Sequence, residues 1–353
     1  MPVTGTSTSY SLDLSEVGNR PPKAPVGSNM RAEIPQRPAP GWMVWTALWI
    51  VYIVWGSTYL AIRISVETLP PLLAAGVRFL VAGMILYGFL MIRRGYRAVA
   101  VTRTELLAST AVGTALLLGG NGLVMIAEQY VPSGLAALLI ATVPLWVILL
   151  RYFFRDSVPR GTLIGVFAGF VGVALLVLPG DRPDGAPLSG MLLLIFAAAC
   201  WATGSFLSRR LQLPRDPLVS TGVQMLTGGL VLMVAGALRG ELPTVDPSEF
   251  SAASLIALAY LIVVGGLVAF TAYVWVLQHA PISKVATYAY VNPVIAVFLG
   301  WIVLSEEITA FVLAGAAVIV SSVAFIVRKE ATTEPRPEAE VGSPAAVPVE
   351  ASG

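Results

Sequence analysis

WGSTYLAIR, residues 55–63, decides the architecture, because its landmarks return later in the chain at a fixed distance. Trp55, Ser57, Leu60, Arg63 and Pro71 are matched by Trp201, Thr203, Phe206, Arg209 and Pro217 at an offset of 146. Further along, Pro132, Ala137 and Pro144 are matched by Pro281, Ala286 and Pro293 at an offset of 149. Each copy spans five apolar segments. A unit with an odd number of crossings enters a membrane the second time upside down, so the duplication implies an inverted repeat, the plan on which alternating-access carriers are built.

Ten apolar segments stand at roughly 42–62, 71–92, 105–127, 133–153, 160–178, 188–208, 217–238, 252–278, 283–303 and 309–327. Each approaches the ~20 residues a helix needs to cross ~30 Å of hydrocarbon. Strands of a membrane barrel would be half as long and would alternate polar with apolar. The expected fold is an all-α integral membrane protein of ten transmembrane helices in two inverted five-helix repeats, residues 42–178 and 188–327, flanked by disordered cytoplasmic tails at 1–41 and 328–353. The tails are rich in Pro, Ser, Thr, Gly and Glu without periodicity, and the first lacks the apolar run of a signal peptide.

Composition agrees. With 56% hydrophobic and 12% charged residues and a mean hydropathy of +0.80, the chain carries more apolar surface than a water-soluble core can bury. Its net charge of +2 comes from basic residues in short loops, where they set topology, so nucleic acid is not an expected partner. With the N-terminus inside, the cytoplasmic side collects eighteen of the 22 Lys and Arg residues and the other side only Arg63, Arg182 and Arg239, with Arg78 inside a helix. Both termini are therefore expected in the cytoplasm, on a multi-pass protein of the cell membrane.

Enzyme chemistry finds no foothold. His279 is the only histidine, Cys200 is the only cysteine, and no HExxH, GxSxG, paired-carboxylate, phosphate-loop or dinucleotide pattern occurs. No cofactor or metal is expected. Cys200 reads as a small side chain within an apolar run.

WGSTYLAIR (55–63), GVRFLVAG (76–83), AEQYVPSGLAALLIATVPLW (127–146) and APISKVATYAYVNPVIAVFLGWIVLSEEIT (280–309), in this order and duplicated, resemble the EamA-type drug/metabolite transporters over residues 45–327. The resemblance implies a ten-helix carrier with its substrate cavity between the repeats, helices 1, 3, 4, 6, 8 and 9 facing it and helices 2, 5, 7 and 10 peripheral. It also implies substrates ranging from amino acids and derivatives to sugars and drugs. One departure is that LSEE (304–307) ends the ninth helix where FFRDS (153–157) ends the fourth, leaving at best Asp156 in the first repeat, one position out of register.

The expected function is a secondary transporter, an exporter of small organic metabolites such as amino acids or their derivatives, or of amphipathic drugs. A non-transporting structural or sensory membrane protein, and an uptake carrier for sugars or other metabolites, are the alternatives. Candidate substrate residues are Trp55, Tyr59, Asn121, Thr142, Trp201, Tyr273, Tyr288 and Asn292, since aromatic walls with a few polar groups suit amphipathic organic solutes. Tyr288 and Tyr290, two apart on a helix, cannot both face inward. Pro144 and Pro293 would free the carbonyls of Ile140 and Ala289 and form a matched hinge pair. Arg78, about 10 Å deep in the second helix at ~1.5 Å per residue, needs a partner or a route outward. Glu67 and Glu128 offer these, and a substrate carboxylate or phosphate is the rival account. Glu128 at a helix end is expected to be solvated, and Gln224 to tie neighbouring helices together. Gly161, Gly165 and Gly169 mark a close helix contact, either between the repeats or in a homodimer.

Overall fold

The structure, a computed structural model, describes Met1 and residues 40–156, 158, 160–177, 185–280 and 282–333. The expected tails thus fall almost wholly outside the described residues, as does Pro281. The described chain contains no strand. Its principal helices are α1 (Gly41–Ser65), α2 (Pro71–Arg94), α3 (Arg103–Ala127), α4 (Ser133–Phe153), α5 (Arg160–Val177), α6 (Leu188–Ser208), α7 (Pro217–Leu238), α8 (Ala252–Leu277), α9 (Tyr288–Leu304) and α10 (Ala310–Thr333). Eight of them contain a stretch long and apolar enough to cross a membrane, while the apolar parts of α5 (Gly161–Val177) and of α9 are shorter. A four-residue turn, Ile282–Val285, precedes α9 and makes up part of its length.

Local chemistry sets the boundaries. Pro70 and Pro71 open α2, where a missing N–H costs nothing, and Gly95 at φ 81° closes it. Thr102 and Glu105 form a reciprocal capping box on α3, and Asp216 accepts from the Leu218 and Val219 N–H groups ahead of α7. Arg155 and Ser305, both in the left-handed region, follow the last turns of α4 and α9, and the Asp156 and Glu306 N–H groups reach back five and six residues, to the Arg151 and Gly300 carbonyls. The LSEE and FFRDS segments thus share a left-handed residue at the helix end despite their different letters.

The packing carries the duplication into three dimensions. α2 pairs with α7 and α5 with α10; α1 packs on α8 and α9, as α6 packs on α3 and α4; α2 reaches α8, as α7 reaches α3. Each of these pairings maps onto another, or onto itself, when the two halves are exchanged. α1 also packs on α4, whereas the exchange-related pair, α6 and α9, is less closely joined.

Small residues make the self-paired contacts possible. In α5, Gly165 lies against Phe325 and Ile326, Gly172 against Ile319, and in return Gly315 of α10 lies against Leu176. A methyl group on any of these three would come within 2.8 Å of its neighbour, so helix approach here depends on the missing side chain. Gly169 instead receives Leu145 of α4. The glycine-lined face of α5 is therefore covered from within the chain. Cys200 is half-buried against Gly119 of α3.

Two expectations about the prolines change. α4 is interrupted at Ala141 and Thr142, and Pro144 stands in the first turn of the helical piece Val143–Phe153. There the absent N–H is one of the four that would have no intrahelical partner anyway. The break before α9 falls at Ala286 and Thr287, and Pro293 lies inside a continuous helix. Under the 149-residue offset the two breaks are about one turn apart, so the prolines do not form a matched pair of kinks.

Candidate functional site

The junction of the two halves is built on a pair of Gly-Gly steps. α3 and α8 each pass through a widened π-helical stretch, Thr114–Gly122 and Leu261–Val268. Each contains two consecutive glycines, Gly119–Gly120 and Gly265–Gly266, again 146 apart. Wide turns of this kind interrupt the regular ladder and recur at functional sites. Each tryptophan of the repeat signature meets the double-glycine turn of the opposite repeat, at glycines one position out of register. Trp55 of α1 donates its indole N–H to the Gly265 carbonyl at 3.4 Å, and the Trp201 ring of α6 lies so close to Gly120 that a Cβ there would be 2.6 Å from it. This double-glycine signal was present in the sequence at the known offset, but hydropathy and polar residues did not single it out.

Around Trp55 the site is aromatic. Its ring centroid is 5.0 Å from that of Tyr273 and 5.3 Å from that of Tyr288, and the two tyrosine rings meet edge-on at 5.7 Å and 89°. Such tilted and edge-to-face contacts add about 0.5–1.5 kcal/mol per pair beyond buried area. The equivalents of Tyr273 and Tyr288 at offsets of 146 and 149 are Ala127 and Leu139, so Trp201 has no such box. Tyr290 packs elsewhere, against the main core cluster. The Ser57 and Tyr260 hydroxyls hydrogen-bond at 2.6 Å beside this box, and Tyr52 and Thr287 share a hydrogen bond at the start of α9.

Two charged side chains, Arg78 and Glu128, are buried in the same half of the chain as Trp55. Arg78 is 6% exposed, and its guanidinium lies 4.8 Å from the centre of the Phe79 ring and close to Gly265. It does not run outward to the exposed Glu67, and no ion pair joins it to Glu128. Glu128, expected in solvent, is fully buried. Neither carboxylate oxygen of Glu128, and neither Nε nor Nη1 of Arg78, has a hydrogen-bond partner among the described residues. Arg78 meets the aromatic box through Gly265, which it lies close to and whose carbonyl accepts the Trp55 indole N–H.

The other charges nearby are committed. Arg63 donates to the Glu128 and Gln129 carbonyls at 2.6 and 2.9 Å. Glu306, on the turn after α9, accepts from the Ser133 and Gly134 N–H groups at 2.6 and 2.9 Å, capping α4 from the other repeat. Glu241, after α7, does the same for α2 through the Leu72 and Leu73 N–H groups and also pairs with Arg239 at 3.0 Å. The counterpart of Glu306 in the first repeat, Asp156, binds Arg210 at 2.6 Å instead. These carboxylate caps use a helix N-terminus as an anion site. They could not be assigned from sequence because donor and acceptor lie about 170 residues apart.

The remaining candidates serve the backbone. Asn121 is buried and donates to the Leu116 carbonyl of its own widened turn at 3.4 Å. Thr142 is buried and donates to Leu139 O at 2.6 Å across the break in α4. The Asn292 side chain faces the Tyr52 and Tyr288 carbonyls, and with its amide turned so that the nitrogen points at them it donates to both at 3.3 Å, tying α9 to α1. Gln224, expected to tie neighbouring helices, bonds Ser220 one turn earlier in α7 at 2.9 Å. Of the predicted set, Trp55, Tyr273 and Tyr288 are in ring contact with one another, while Tyr59 packs against the main core cluster.

Open depressions of about 640 Å³ at residues 301–309 and about 500 Å³ between α1 and α8 include no residue of the aromatic box. Among the described residues no cluster of three or more His, Cys, Asp or Glu could hold a metal ion.

Comparison with known proteins gives a consistent result. The model of the EamA-like transporter family matches residues 42–178 and 188–328. The chain is 40% identical over 255 residues to the uncharacterized inner membrane transporter YedA of Escherichia coli strain K12, covering 72% of this chain and 80% of that one. It is 25% identical to a probable amino-acid metabolite efflux pump of Salmonella typhimurium, covering 77% and 90%. One solved crystal structure superposes with a TM-score of 0.56 at 19% identity, covering 82% of this chain and 98% of the other, which is a likeness of fold.

Proposed function

This chain belongs to the EamA-like transporter family, and on that premise we propose that it is a secondary carrier exporting small organic metabolites, such as amino acids or their derivatives, or amphipathic drugs, by alternating access. It is a multi-pass membrane transporter rather than an enzyme. In this reading all ten helices cross the membrane, the repeats at 42–178 and 188–327 are inverted, and both termini are cytoplasmic. The two short helices need only modest local thinning of the bilayer, at fractions of a kcal/mol per Å.

The observation that carries the reading is that Trp55 meets the Gly-Gly turn of α8 and Trp201 the Gly-Gly turn of α3, each tryptophan against the opposite repeat. Packing that survives exchange of the halves gives two equivalent ways of closing, one toward each side, as alternation requires. The closer union of α1 with α4 than of α6 with α9 is the asymmetry expected of one such state. The solute would meet the box of Trp55, Tyr273 and Tyr288, and export is the direction suggested by the efflux pump among the relatives.

Purified protein in liposomes, preloaded with an unlabelled solute panel and challenged with labelled amino acids or an amphipathic dye, tests this. Counterflow that Trp55→Leu abolishes while folding is retained is the expected result. Failure of the folded wild-type protein to move any member of the panel would refute it.

A further inference from the structure

We propose that Arg78 and Glu128 are the two poles of a site for a zwitterionic amino acid, Arg78 receiving its carboxylate and Glu128 its ammonium, with the side chain against Trp55, Tyr273 and Tyr288. The inference rests on the carrier reading and narrows its substrate class.

Both charged side chains are more than nine-tenths buried and both have unpartnered polar atoms. Buried charges normally pair with each other or with fixed partners, because an unmade hydrogen bond to a charge is expensive. Here the expected partners are engaged elsewhere. The Arg63 guanidinium holds two backbone carbonyls, Glu306 caps α4 and Glu241 caps α2. Arg78 and Glu128 form no ion pair, and each keeps polar atoms without a partner among the described residues. A purely structural pair would close to direct contact.

The chemistry of the ligand follows from what each pole lacks. The guanidinium has free N–H donors and wants an anionic acceptor, and a carboxylate matches its planar fork. The Glu128 carboxylate has only acceptors and wants a donor cation of small size, such as a primary ammonium. A ligand with one charge would satisfy one pole and leave the other buried and unpaired. A phosphate ester would want more than the single guanidinium. Arg78 lies close to Gly265, whose carbonyl accepts the Trp55 indole N–H, so an apolar or aromatic side chain against the aromatic box completes the fit.

The test uses the full chain in detergent and three probes: L-phenylalanine, L-phenylalaninamide, which lacks the carboxylate, and N-acetyl-L-phenylalanine, which lacks the ammonium. Equilibrium dialysis should show the zwitterion binding about tenfold tighter, or more, than either derivative, the size expected from one lost charge-assisted hydrogen bond. Arg78→Gln should erase the preference over the amide and keep that over the acetylated probe, and Glu128→Gln should do the reverse. Arg78→Lys and Glu128→Asp should preserve the wild-type order, and they decide the matter with the wild type if a Gln variant does not fold. Equal binding of the three probes, no binding of any, or an unchanged order in folded Arg78→Gln and Glu128→Gln overturns the proposal. Liposome counterflow separates the two readings. Movement of ethidium without any preference for the zwitterion would sink this site and leave the carrier standing, whereas a folded protein that moves neither would sink both.

Discussion

Glu306→Gln should loosen the tie between the end of α9 and the start of α4. The wild-type carboxylate accepts from Ser133 N–H at 2.6 Å and Gly134 N–H at 2.9 Å, at the positive end of a helix. A glutamine oxygen can keep one of these bonds, while its NH2 group faces a donor and loses the other. A hydrogen bond to a charged group contributes about 1.5–3 kcal/mol, and a carboxylate at a helix N-terminus about 0.3–1 kcal/mol more. A net loss of about 2 kcal/mol raises the opening equilibrium at this contact roughly 30-fold, at 1.4 kcal/mol per tenfold. Ser133 is fully buried, so a cysteine there reacts with a membrane-impermeant maleimide only when the contact opens. In a Cys200→Ala, Ser133→Cys background, the labelling rate should rise roughly 30-fold with Glu306→Gln, by the same arithmetic. It should stay unchanged with Glu307→Gln, whose carboxylate is on the exposed side of the turn. A rise of less than about threefold, ~0.6 kcal/mol, in folded protein would mean that the cap does not hold these ends together.

Asn292→Leu removes two hydrogen bonds to the Tyr52 and Tyr288 carbonyls, so thermal stability should fall by about 1–3 kcal/mol, and an unchanged melting curve would refute the tie. Pro144→Ala should leave stability within about 1 kcal/mol, because the residue sits in a first helical turn, while Pro293→Ala should stabilise α9 and slow counterflow; equal effects of the two would contradict their different settings. Gly120→Val would drive a side chain into the Trp201 ring and should cost about 1–3 kcal/mol with loss of transport, and full activity in the folded variant would show that the Trp201 seat is dispensable.

Membrane class, segment order and duplication were legible in the sequence before any contact was known, because hydropathy over ~20 residues and a fixed offset are properties of the chain alone. It also picked out the aromatic partners: Trp55, Tyr273 and Tyr288 were candidates before any contact was known, and they meet. It could not say what Asn121, Thr142 and Asn292 bond to, because a polar letter in an apolar helix has two uses. In each case a backbone carbonyl near a widened or broken turn took the hydrogen bond. It set the prolines as equivalent hinges, yet helix breaks depend on where neighbouring helices support the freed groups, and the two breaks fall about one turn apart. The tertiary structure alone decided the fates of Arg78 and Glu128. Sequence depth suggested a snorkelling arginine and a solvated glutamate, but α8 closes over the first, and the packing around the second leaves it no solvent. Whether a buried charge is paired depends on which other charges are already held, and those commitments, Glu306 to α4 and Arg63 to two carbonyls, link positions tens to hundreds of residues apart.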